Sequence, residues 1–201
     1  MTDTRRRGNS FGWSWLWWTA GFLAFPIAGV AGRLVGGRVD DPAAAGLAGF
    51  VAGSVVGAGQ WLASRGRLQP VPWIVATALG MGVGLLLGGI VVGFQTSLTD
   101  VAIMGALTGV VLGLAQTVAL PARTLRRWWW AAAMPLLWPL GWTITTLAGI
   151  PMAEQFTIFG ASGAVTFSAL SGLLLYRLLP PMRTTATDTA GVEAPLMRPS
   201  P

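Results

Sequence analysis

The sequence predicts an all-α membrane protein: six transmembrane helices arranged as three tandem hairpins, with pseudo-threefold closure the geometry expected of three parallel repeats. Three observations predict it. The 201 residues are 53% hydrophobic and 10% charged, against roughly 25% charged in a typical soluble domain. Six apolar runs divide the chain, each long enough, at about 1.5 Å per helical residue, to cross a hydrocarbon layer about 30 Å thick. Gly49, Gly53, Gly57 and Gln60 recur at Gly105, Gly109, Gly113 and Gln116, an offset of 56 each time, and a worn third copy reads Gly160, Ala164, Ser168, Ser171. One supersecondary unit is used three times. The runs do not alternate with period two, which argues against the closed β-barrel, the other fold that satisfies its backbone in lipid.

Taken in order, residues 1–11 are polar and basic and are expected to form a cytoplasmic tail. The first run, Trp13–Gly32, contains Pro26, which removes a helical hydrogen bond and disturbs the preceding turn. The second, Pro42–Ala63, opens on Asp41-Pro42, an N-cap followed by proline at the first helical position. The third is Val71–Phe94. The fourth, Leu98–Ala119, carries Asp100 in its first turn, where the helix dipole favours an acid. The fifth, Trp128–Gly149, holds Pro135 and Pro139 near its middle, and Gly149 followed by Pro151 marks its end. The sixth is Phe156–Leu179, with Glu154 near its start. These pair into hairpins over 12–64, 70–120 and 127–179, together a transmembrane domain spanning 12–179, and 180–201 reads as a disordered cytoplasmic tail rich in Pro, Thr and Ala.

Charge sets the expected orientation. All thirteen basic residues are Arg, and on alternate sides of a six-span chain they divide eleven to two, only Arg33 and Arg38 falling with Asp40, Asp41, Asp100 and Glu154. Such a bias places the Arg-rich loops and both termini in the cytoplasm, of a multi-pass protein in the cell membrane. It also accounts for the net charge of +6 without nucleic acid. The basic N-terminus followed by an apolar run has the outline of a signal peptide, but the run is too long and Trp17 lies in phase with the repeat, so it is expected to be retained.

Small residues four apart share one helix face and let backbones approach, the main route to helix association in lipid. Gly49, Gly53, Gly57, Gly80, Gly84, Gly88, Gly105, Gly109, Gly113 and Gly160 are therefore expected at helix interfaces. Gln60 and Gln116, each a turn from the cytoplasmic end of its helix, read as structural amides. Water is available to them at that depth, so either Gln→Leu change should cost under about 1 kcal/mol. The alternative is a channel or facilitator for a small neutral solute, with Gln60, Gln95 and Gln116 as its polar contacts beside the Thr-rich part of the fifth run. Trp17, Trp73 and Trp129, also 56 apart, are expected to anchor the bundle at the interface, where neighbouring Arg attracts anionic headgroups.

The residue inventory narrows the chemistry. Without His, Cys or Lys the chain lacks the usual general base, thiolate nucleophile, metal ligands and Walker lysine. Gly160-Ala161-Ser162-Gly163 resembles the Gly-x-Ser-Gly motif of rhomboid intramembrane proteases, whose serine is activated by a histidine absent here. No catalytic, cofactor or metal site is expected. The remaining reading is a non-enzymatic, glycine-packed bundle that associates with itself, with lipid or with partner membrane proteins.

The Gly-x3-Gly-x3-Gly-x2-Gln ladder, followed by Arg and then a Trp-led helix, resembles repeats in bacterial multi-pass membrane proteins that have no assigned function. The likeness covers roughly residues 12–179. It implies a helix-hairpin architecture in a bacterial inner membrane and carries no activity with it.

Overall fold

The computed structural model describes residues 3–150 and 157–179. Among these residues there is no strand; the elements are α1 (Asp3–Ala20), a 3-10 turn (Gly21–Leu23), α2 (Ala24–Gly36), α3 (Pro42–Ala63), α4 (Pro70–Val91), α5 (Leu98–Ala119), α6 (Trp128–Leu147) and α7 (Ala161–Leu178). From Phe11 to Gly36 the chain makes one continuous rod, and this rod, α3, α4, α5 and α7 are each long and apolar enough to cross a membrane. That makes the protein a multi-pass helical membrane protein by length and composition. The twenty residues of α6 carry five tryptophans and no charge.

Local chemistry sets most of the ends. Asp41 caps α3 by accepting from the Ala44 N–H at 2.9 Å, with Pro42 at the first helical position. Ser97 and Asp100 form a reciprocal capping box at the start of α5, the arrangement that satisfies two otherwise orphaned donors. After α6, Gly149 takes a φ of +81°, and the Ile150 N–H turns back to the Thr145 carbonyl at 3.4 Å. A left-handed residue is needed for that closure, and glycine adopts it without a Cβ penalty.

Two expectations change, and a third takes a specific form. The polar segment expected as a tail is helical from Asp3, and Phe11 stands edge-on to Tyr176 with centroids 6.4 Å apart; extending an existing helix adds one hydrogen bond per residue at little cost. The disturbance expected before Pro26 is a 3-10 turn, Gly21–Leu23, which contains Phe22, the residue whose carbonyl Pro26 cannot partner. Finally, α7 begins at Ala161, and the Thr157–Gly160 segment before it runs non-helically through the bundle, burying Thr157, Ile158 and Phe159. Pro151, Glu154, the Phe156 start of the sixth run and the tail over 180–201 lie outside the described residues.

The rods pack in sequence order, α2 on α3, then α4, α5, α6 and α7, and α7 returns to α1. Neighbours are antiparallel: Gly49 faces Met81 while Gly57 faces Ile74, and Gly84 faces Thr108 while Gly88 faces Met104. The Arg65 and Arg126 loops therefore share one end of the bundle with the start of the first rod and the end of α7. Arg65 lies over Trp17 at 5.3 Å, Arg67 over Tyr176 at 4.6 Å, and the Leu125 N–H donates to the Leu178 carbonyl at 3.2 Å. Burial lowers the pKa of Arg67 from its ordinary value; Tyr176 opposes that shift and Arg123 adds to it.

Candidate functional site

Two features organise the interior, and glycine makes the first. A Cβ on Gly53 would lie 2.6 Å from the Thr77 carbonyl oxygen, and one on Gly49 2.8 Å from that of Met81. On Gly57 it would stand 3.0 Å from the Ile74 Cα. Gly80, Gly84 and Gly88 meet α5 at Leu112, Thr108 and Met104 just as closely, between 2.8 and 2.9 Å. On α5, Gly105 faces Pro139, Gly109 the Met134 carbonyl and Gly113 the Met134 side chain. All nine positions put backbone or Cβ atoms of the next helix where a side chain would be. The α3–α4, α4–α5 and α5–α6 seams are therefore closed by direct van der Waals contact.

Gly160 differs from the other nine. It is the residue before the first turn of α7, its N–H donates to the Thr145 hydroxyl at 3.0 Å, and a Cβ there would strike the Ile150 side chain. It serves the turn into α7 and does not belong to a ladder.

The second feature is a ring of indoles. Trp18, Trp73 and Trp130 are at most 2% exposed, and their ring centroids are 5.9–6.4 Å apart, each touching the other two. Each indole N–H crosses to another helix, from α4 to α3, from α6 to α5 and from the first rod to α7. Trp73 donates to Gln60 Oε1 at 3.1 Å, Trp130 to Gln116 Oε1 at 3.0 Å and Trp18 to Ser171 Oγ at 3.1 Å. The Gln116 amide also donates to Thr77 Oγ1 at 3.0 Å and, more weakly, to Gln60 Oε1 at 3.4 Å. Thr77 in turn donates to the Trp73 carbonyl at 2.8 Å. In a medium without water, an indole N–H with no acceptor would cost several kcal/mol. These acceptors offset that cost for Trp18, Trp73 and Trp130, whereas Trp142, also buried, has no hydrogen-bond partner for its Nε1.

Several expected contacts are redistributed. Gln60 and Gln116 are 4% and 1% exposed, so protein groups satisfy them and the expected access to water is absent. Gln95 lies in the turn after α4, exposed, donating to the Gly93 carbonyl at 3.3 Å. The 22 residues of α4 separate it from the other two amides by about 30 Å. The three glutamines do not line one path.

The anchor triplet also splits. Trp17 and Trp129 are 45% and 61% exposed on the outer surface, whereas Trp73 is wholly enclosed. Its structural counterparts are Trp18 and Trp130, at spacings of 55 and 57. Successive helical residues point about 100° apart, so a shift of one position exchanges an outward indole for an inward one. The sequence carries a signal for the correct choice in α6. Trp130, Met134, Trp138 and Trp142 are four apart and all buried, a stripe that excludes Trp129.

Away from the ring, aromatic side chains fill the bundle where α6, α7 and the first rod meet. Phe159 stacks on Phe25 at 5.2 Å and meets Trp138 at 4.9 Å, with Phe167 5.1 Å from Trp138. Phe159 comes from the non-helical segment before α7, a contribution that hydrophobic periodicity does not reveal.

No protein family, curated protein or solved structure matches the chain. The site itself offers little chemistry. Ser162 Oγ has no hydrogen-bond partner, and Gly163 packs against the Gly141 carbonyl, so this tetrapeptide seats α7 on α6. Among the described residues, no three His, Cys, Asp or Glu side chains group closely enough to hold a metal ion.

Proposed function

We propose that this chain is a non-enzymatic integral membrane protein of the cell membrane, with six spans built as three hairpin repeats around a pseudo-threefold axis. Both termini and the Arg-rich loops face the cytoplasm. Its role is that of a compact scaffold that associates with itself, with lipid, including anionic headgroups on the cytoplasmic side, or with other membrane proteins. It is one of the bacterial repeat proteins that its ladders resemble.

The cyclic hydrogen bonding of Trp18, Trp73 and Trp130 to Ser171, Gln60 and Gln116 carries the reading. Each hairpin contributes one donor and one acceptor, which supports three equivalent units closed on one another. The same bonds occupy the amides that a solute path would need, and three mutually touching indoles lie beside them. Dry glycine seams on α3–α6 add to that support. For α6 as a sixth span, twenty residues rise about 30 Å; its tryptophans lower its hydropathy without adding charge.

Flux of small neutral solutes into proteoliposomes tests the reading. The expected rate equals that of protein-free vesicles. A protein-dependent flux that Gln60→Leu or Gln116→Leu abolishes, with thermal stability unchanged, would establish the facilitator instead.

A further inference from the structure

At the end of the bundle that holds the Arg65 and Arg126 loops, two loops meet the end of α7. Arg67, between α3 and α4, is half-buried, with its guanidinium over the Tyr176 ring at 4.6 Å. The loop of Arg123, between α5 and α6, is tied to the same helix end, where the Leu125 N–H donates to the Leu178 carbonyl at 3.2 Å. Arg123 stands close enough to oppose the charge on Arg67. Among the described residues, neither arginine has a carboxylate partner, and Asp40, Asp41 and Asp100 all belong to the opposite end. Tyr176 is 7% exposed, and its hydroxyl has no hydrogen-bond partner.

We infer that Arg67 and Arg123 bind one phosphate group, that of an anionic phospholipid in the cytoplasmic leaflet. Stacking on Tyr176 occupies the face of the Arg67 guanidinium and leaves its N–H donors in the plane, the edge that takes phosphate oxygens two at a time. Two like charges at a partly buried place repel one another and have lost hydration, and one anion between them relieves both costs. The unpartnered Tyr176 hydroxyl gives the same place a further donor. Two guanidinium charges exceed the single charge of one phosphodiester, so a headgroup that carries a compensating ammonium is disfavoured. Depth selects a lipid as the source of the phosphate. Trp17, Trp128 and Trp129 are 45–61% exposed at this end, and indoles settle at headgroup level, where a phospholipid presents its phosphate.

The inference deepens the lipid association proposed above and rests on it. The test titrates the full-length protein in detergent with phosphatidylglycerol or phosphatidylcholine of identical chains and counts bound lipid by native mass spectrometry. Wild type should retain one lipid, with a preference for phosphatidylglycerol of roughly fivefold for each arginine engaged. Arg67→Gln and Arg123→Gln should each lower the preference by about that factor. Arg67→Lys, which keeps the charge without the fork, should fall between. Arg126→Gln, in the same loop as Arg123, is the control and should leave the preference unchanged. A preference untouched by Arg67→Gln, or lowered equally by Arg126→Gln, overturns the site while leaving a general attraction of the basic loops for anionic lipid. A wild type that binds both lipids alike overturns the association itself. Inorganic phosphate in excess should not displace the lipid, and displacement would overturn the lipid assignment in favour of the free ion. Each variant is read at an unchanged thermal midpoint; should Arg67→Gln unfold, Arg123→Gln, at an exposed position, decides.

Discussion

Trp18 Nε1 lies 3.1 Å from Ser171 Oγ, a bond that joins the first rod to the last helix across 153 positions of sequence. It completes the circuit begun by Trp73 with Gln60 and Trp130 with Gln116. Gly160, Ala164, Ser168 and Ser171 lie 55 residues beyond Gly105, Gly109, Gly113 and Gln116, so Ser171 stands in the register of Gln116. Beside it a Cβ on Gly172 would be 2.6 Å from Trp18 Cδ1, so the indole packs directly on α7 and the short Ser171 side chain serves as its acceptor. Ser171→Ala should leave a buried indole donor unpaired, at a cost of about 1–3 kcal/mol. Thermal unfolding in detergent measures it, and an unchanged midpoint would show that the Trp18 N–H finds another acceptor.

Gln116 should matter more than Gln60. It accepts from Trp130 and donates to both Thr77 and Gln60, while Gln60 accepts from Trp73 and, weakly, from Gln116. Gln116→Leu is predicted to destabilise by about 1–3 kcal/mol, the range for leaving buried partners unsatisfied, and Gln60→Leu by less. The double variant should differ from the sum of the singles, as expected of groups in one network. A double-mutant cycle read by chemical or thermal unfolding gives the answer, and strict additivity would mean that the two amides act independently.

The glycine seams make a prediction at the level of a single methyl. Gly53→Ala and Gly109→Ala place a Cβ against the Thr77 and Met134 carbonyls, so each should cost about 1–3 kcal/mol through overpacking. Gly46→Ala is the control: it lies within α3 and nothing is within 4 Å of its would-be Cβ. There alanine should be neutral or stabilise by roughly 0.5–1 kcal/mol, the helical cost of glycine. Equal midpoints for all three variants would show that the ladders face lipid.

Orientation is open to direct measurement. With the Arg65 and Arg126 loops at the same end as both termini of the bundle, reporter fusions in these loops and at the C-terminus are all expected to report cytoplasm. Fusions between Arg33 and Arg38 should report the opposite side. A C-terminal fusion reporting outside would require an odd number of spans or an inverted chain.

Most of the helices were legible because their signals are local. Asp41-Pro42 specifies the start of α3 by capping chemistry, and α3 and α5 span the same residues as the apolar runs. The ladders were legible too, since residues four apart must share a helix face whatever the tertiary structure. The polar contacts were less so. Gln95 has the same side chain as Gln60 and Gln116 but sits in a turn at the far end of α4, and composition does not record that distance.

What the sequence by itself determined is the length, order and apolarity of the helices and the glycine faces by which they approach, all consequences of backbone geometry and of the next few residues. Tertiary structure alone decided that Trp18 and not Trp17 turns inward, that the Trp18 N–H takes Ser171 as its acceptor, and that Phe159 enters the core from a non-helical segment. Each of those outcomes depends on the space and the hydrogen-bond acceptors offered by a helix remote in sequence. The buried indole N–H groups of Trp18, Trp73 and Trp130 regain a hydrogen bond lost on leaving water because an acceptor stands opposite each, and that partner is fixed only when the helices have packed.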